Sequence, residues 1–119
     1  MMYNNFGIGN TKKQDAHDRE REKVIKKEMG ALLKEIRERI GVSVDSIADK
    51  RTINRSTIYN IENGIAFPAD TTLQKFLDEY SFLMTREELG KVRTWHNEIK
   101  TIRNKRKNLK KKQTLGWRG

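Results

Sequence analysis

Residues 41–64 read GVSVDSIADKRTINRSTIYNIENG, and this stretch decides the fold. Ser43 is a helix-capping residue type placed before Val44–Lys50, with Asp45 where the first turn of a helix favours an acid. Asn54 stands in the same relation to Arg55–Asn63, and Gly64 supplies the usual stop. Ile47 and Ala48 mark the inner side of the first helix, and Ile58 and Ile61 that of the second. Pro68 blocks any continuation. The spacing predicts two short capped helices joined by a turn of about four residues, the small Ala48 letting them cross closely. Arg55, Ser56, Tyr59 and Asn60, at i, i+1, i+4 and i+5, share the outer side of the second helix. Arg can bond guanine with two donors, Asn can do the same to adenine, and Ser suits several base edges, so this face fits the major groove of DNA.

Outward from this pair, the chain reads as helices throughout. Ile25, Met29, Leu32, Ile36 and Ile40 recur in steps of three and four and predict a helix that stops at Gly41, with Gly30 as a weak point where it begins or bends. Leu73, Phe76, Leu77 and Tyr80 predict another from Asp70 or Thr71. Thr85-Arg-Glu-Glu88 has the form of a capping box and introduces a helix carrying Leu89, Val92, His96, Ile99 and Ile102. That apolar stripe predicts either core packing or a dimer seam. The expected organisation is a flexible arm over 1–14, a charged helical extension over 15–28, a helix-turn-helix domain over 29–84, a C-terminal helix over 85–104 and a basic tail over 105–119.

Composition bounds the function. Hydrophobic residues make up 34% of the 119 and charged residues 35%, so a compact core with polar extensions is expected. The net charge of +10 is unevenly spread. Residues 31–84 hold 7 basic and 8 acidic side chains, whereas residues 85–119 hold 12 and 3. A basic excess favours a polyanion, nucleic acid before an anionic membrane surface. Lys105, Arg106, Lys107, Lys110, Lys111 and Lys112 crowd into eight residues and suit phosphate contacts without sequence preference. Cysteine is absent, which excludes disulfides and thiolate metal sites. With two distant histidines and no phosphate loop or catalytic triad pattern, neither a metal, a cofactor nor catalysis is expected. No apolar run is long enough for a membrane span, and the first ten residues lack a signal peptide's form, so a cytoplasmic protein is expected.

The stretch from Gly41 to Gly64, followed by Pro68, resembles the Cro/phage-repressor type of helix-turn-helix, the Xre family. The likeness rests on Gly-x-Ser before the first motif helix, Ala48 within it, Arg-Ser-Thr-Ile opening the second, Ile-Glu-Asn-Gly closing it and the proline four residues on; it covers roughly residues 29–82. It implies an all-α, five-helix fold with the second motif helix in the major groove. It places Arg55, Ser56 and Asn60 at base edges; Tyr59, on the same face, suits a phosphate contact or a packing role as well as a base contact. It places Ser43, Thr57 and the Asn63–Ala66 loop near phosphates, and at Val44 the backbone N–H of the helix start serves the same end. It also pairs Arg37 with Glu62; independently, a glutamate near a helix C-terminus is disfavoured by the dipole and calls for a partner. Two positions depart from the family pattern: Val44 stands where Gln is common, and Thr52 where Gly is common. Duplex DNA is the expected partner, read by a homodimer. A protein partner bound through the N- or C-terminal extension is the rival expectation.

Overall fold

The fold is that of a computed structural model, which describes the backbone of residues 2–118 and the side chains of residues 15–108. Among the described residues every regular element is a helix: α1 (Met2–Ile40), α2 (Val44–Arg51), α3 (Arg55–Glu62), α4 (Asp70–Tyr80), a short 3-10 turn at Ser81–Leu83, and α5 (Arg86–Arg118). The side chains of the expected arm over 1–14, and of Lys110, Lys111, Lys112 and Trp117, lie outside the described residues.

The caps act where the sequence puts them. The Ser46 N–H donates to Ser43 Oγ (3.1 Å) and the Ser56 N–H to Asn54 Oδ1 (2.8 Å). At the capping box the Glu88 N–H donates to Thr85 Oγ1 (3.1 Å) and the Thr85 N–H to Glu88 Oε1 (3.0 Å). α1 and α3 end alike. Gly41 turns left-handed at φ +83° and Gly64 at φ +76°. The Val42 N–H reaches back to the Arg37 carbonyl (3.2 Å) and the Ile65 N–H to that of Asn60 (2.8 Å).

Ile25, Met29, Leu33 and Ile36 form the fully buried stripe of α1 and meet Ile47, Ile58, Ile61, Phe76 and Tyr80 in one core. Each such side chain contributes about 1.5–3 kcal/mol by leaving water. Gly30 does not start α1, which runs on through it. A Cβ there would strike the Ile61 carbonyl oxygen and stand 2.8 Å from that of Glu62. The glycine is therefore the point at which the C-terminal end of α3 rests on α1. The helix also runs unbroken across residues 28 and 29, where the charge pattern suggested a boundary, and Ile25 on the near side already belongs to the core.

α5 packs against α1 with the chains antiparallel. Arg39 pairs with Glu88 (2.9 Å), Arg21 with Glu98 (2.6 Å) and Arg106 with Glu22 (2.7 Å) and Asp15 (3.7 Å). Val92, Trp95 and Ile99 join the core, so the α5 stripe packs on the body. Farther round α5, His96 bonds Asp70 at the start of α4 (2.7 Å) and stacks on Phe67 (ring centroids 6.4 Å apart), while Arg103 lies over the same ring. The expected tail does not begin at residue 105: α5 continues, and Arg106 is turned into α1.

Candidate DNA-reading surface

α2 and α3 hold the candidate site. Eight residues each, they are joined by Thr52-Ile-Asn54. Thr52 takes φ 54° and ψ 55°, the left-handed conformation that glycine adopts without strain. Its N–H and that of Ile53 both reach the Ala48 carbonyl, which closes α2, and Lys75 of α4 donates to the Thr52 carbonyl (3.1 Å). Ile53 is buried beneath the turn. The strained turn thereby sets the angle between the two helices.

α3 buries Ile58, Ile61 and Glu62 and exposes Arg55, Ser56, Tyr59 and Asn60. The four candidate base readers thus lie together on the free side of one helix, and Thr57 is half-buried at its margin. Beneath them, the Arg37 Nε–H and Nη2–H donate to the two carboxylate oxygens of Glu62 at 2.7 and 3.1 Å. The third nitrogen, Nη1, donates to the Val42 carbonyl (3.0 Å). The Glu62 carboxylate is only 3% exposed, so it depends on this two-pronged partner. The Glu62 hydrogen bond raises the Arg37 pKa above its ordinary value. Tyr80 lies in the same buried region, and burial, helped by the Glu62 charge, pushes its phenol well above the usual range.

The phosphate candidates fall into different situations. At the start of α2 the Val44 side chain is buried, while its N–H belongs to a helical first turn and has no intrahelical acceptor. Ser43 is exposed and accepts the Ser46 amide. Past α3, however, the N–H groups of Asn63, Gly64, Ile65 and Ala66 all donate to carbonyls of α3 at 2.8 to 3.2 Å. The loop amides are taken, and only the exposed Asn63 side chain can reach outward. Lys105 and Lys107 are exposed on α5, whereas Arg106 is committed to Glu22 and Asp15.

Asp45 was not among the residues expected at this surface. Its Oδ1 lies 3.1 Å from the Arg55 Nε, so a carboxylate from the first turn of α2 grips the inner edge of the foremost candidate reader. The outer edge, the two Nη groups, is left for a base.

Among the described residues there is no cluster of three or more His, Cys, Asp or Glu side chains that could hold a metal ion, and no helix long and apolar enough to cross a membrane. Two short capped helices crossing at a tight turn within an all-α body define a helix-turn-helix protein. Residues 28–89, just over half of the chain, match the family described as "Helix-turn-helix domain", and the chain belongs to that family. Its domain type is a DNA-binding one. Comparison with curated proteins and with solved structures gave no match.

Proposed function

We propose that the protein binds duplex DNA sequence-specifically as a Cro/phage-repressor (Xre) type regulator, and that it represses a bacterial, phage or mobile-element promoter by occupying its operator. The observation that carries this is the composition of the free face of α3. Four residues able to bond bases or backbone stand exposed on one side of a helix whose other side is locked into the core. The major groove, about 12 Å wide, admits such a helix. Arg55, Ser56 and Asn60 read base edges, and Tyr59 lies at a base or phosphate. Ser43, the Val44 amide, Thr57 and the Asn63 side chain hold phosphates. Lys105 and Lys107, followed by Lys110, Lys111 and Lys112, add attraction without sequence preference. Such a protein works in the cytoplasm, needs no cofactor and performs no catalysis.

Pairing of half-sites by a homodimer belongs to the same reading. The α5 stripe is taken up by the body, and Phe82 and Leu83, exposed on the turn before α5, offer an apolar surface to a second copy. The same pair favours the rival reading, in which the output is capture of a protein: an antitoxin, an inhibitor of a defence nuclease or a DNA-transfer accessory factor.

Selection of bound duplexes from a random pool tests the proposal. One sequence class should emerge, palindromic if the dimer forms. Arg55→Ala and Asn60→Ala should each cost about 1–3 kcal/mol at that sequence and relax the preference at one base pair. If both variants bind every duplex as the parent does, α3 is not the reader. A stoichiometric protein partner without a DNA footprint would favour the rival.

A further inference from the structure

We infer that α1 carries a second DNA-contacting surface, a lysine stripe of Lys23, Lys27 and Lys34 that grips the phosphate backbone flanking the sequence read by α3. This rests on the DNA-binding reading above and adds to it a surface outside α2, α3 and the basic run of α5. The three lysines stand with Gly30 at i, i+4, i+7 and i+11, a spacing that keeps them on one helical face. Gly30 fixes where that face points, because the carbonyls of Ile61 and Glu62 rest on it. One turn away, a Cβ on Gly64 would stand 3.0 Å from both Cα and Cγ of Lys27. The stripe therefore brackets the C-terminal end of α3 and the loop that follows it.

Three observations give these lysines their role. All three are exposed, and among the described residues none has an ion-pair or hydrogen-bond partner. The arginines of α1 are spent instead: Arg19 on Asp15, Arg21 on Glu98, Arg37 on Glu62 and Arg39 on Glu88. Next, the backbone amides of residues 63–66 are consumed by α3 itself, which leaves the Asn63 side chain as the loop's own group for a phosphate at this end of α3. Finally, residues 31–84 carry net charge −1, and Arg106 is neutralised by α1. A reader helix set in a nearly uncharged body needs cations near it to approach a polyanion, and Lys23, Lys27 and Lys34 stand on the face of α1 against which the end of α3 rests. A phosphate backbone matches them in charge and tolerates their flexible stems, since such contacts position the protein without reading sequence.

The competing role is structural: cations near a helix C-terminus stabilise it through the dipole. That role would move thermal stability and leave DNA binding alone. The test uses the full chain with Lys23→Gln, Lys27→Gln and Lys34→Gln combined, titrated over a range of salt against a duplex carrying the selected sequence with long flanks and against a scrambled duplex. Each lost phosphate contact lowers the slope of log affinity against log salt by about 0.9. The expected result is a slope smaller by about 2–3, with affinity falling on both duplexes alike and their ratio kept. The three arginine replacements should restore the slope. A parent-like slope in the triple Gln variant, whatever its melting temperature, overturns the inference while the parent's preference for its selected sequence keeps the reading of α3. A parent that prefers no sequence overturns that reading instead, and the slope of its nonspecific binding still decides for or against the stripe. A parent that binds no duplex removes both.

Discussion

At the scale of single residues, the turn between α2 and α3 holds the clearest disagreement between residue type and conformation. Thr52 is β-branched and lies in the left-handed region at φ 54°, where its Cβ crowds the following carbonyl. Its side chain is exposed, and Ala48 and Lys75 bond its backbone. Replacing it removes strain and no packing. Thr52→Gly should therefore raise stability by about 1 kcal/mol, less the larger chain entropy of glycine in the unfolded state, and so raise the melting temperature by a few degrees. A lower melting temperature would show that the threonine hydroxyl or methyl holds the turn in a way its geometry does not reveal. The departure from the glycine that the phage-repressor resemblance suggests here was legible from residue 52 alone. Its consequence, a strained turn retained between the two site helices, was not, because backbone angle is not written in residue type.

At the scale of elements, two glycines inside helices have opposite meanings. At Gly30 a Cβ would meet backbone oxygens of α3, which cannot swing aside as a side chain can. Gly30→Ala should destabilise the fold by about 2–3 kcal/mol, as overpacking does, although alanine favours helix by about 1 kcal/mol over glycine. Gly90, in α5, faces open space, so Gly90→Ala should stabilise by up to about 1 kcal/mol. Chemical unfolding of the two variants measures both; a Gly30→Ala variant as stable as the parent or more so would mean that α3 does not rest on Gly30. The helices themselves were well legible, because caps and stops act locally: Ser43, Asn54, Thr85, Gly41 and Gly64 each bond within a few residues of their own position. Gly30 was misread as a weak point because propensity is a local quantity, while the close approach that calls for glycine comes from a segment more than thirty residues away. Asp45 was missed for a similar reason. Its partner Arg55 is brought to it by the turn, not by helical spacing.

At the scale of the whole molecule, the matter is how α5 is held. The apolar stripe showed that it would pack, but not on which helix, nor which of many charges would pair. The structure answers with ion pairs set along α1 at Arg39, Arg21 and Glu22, around the apolar contacts of Val92, Trp95 and Ile99. Of these, the Glu88 pair is the one with a readable pH signature. The Arg39 guanidinium and the Thr85 amide hold the Glu88 carboxyl at about 2, below its ordinary 4.5. A lowered folded-state value means that the charged form stabilises the fold. That contribution is complete above about 4.5 and is lost as pH falls from there through about 2. Glu79, held low by Lys50 and Arg51, and Asp70, held low by His96 and Lys100, act with the same sign between α2 and α4 and between α4 and α5. The melting temperature should therefore fall on acidification below about 4.5. Glu88→Gln isolates the share due to the α1–α5 contact, since glutamine can still close the capping box with Thr85 but offers Arg39 no charge. The variant should melt below the parent near neutral pH, and the gap should close as the pH approaches 2. Melting curves that stay parallel across this window would mean that the Glu88 charge does not help to dock α5, leaving Val92, Trp95 and Ile99 to hold it.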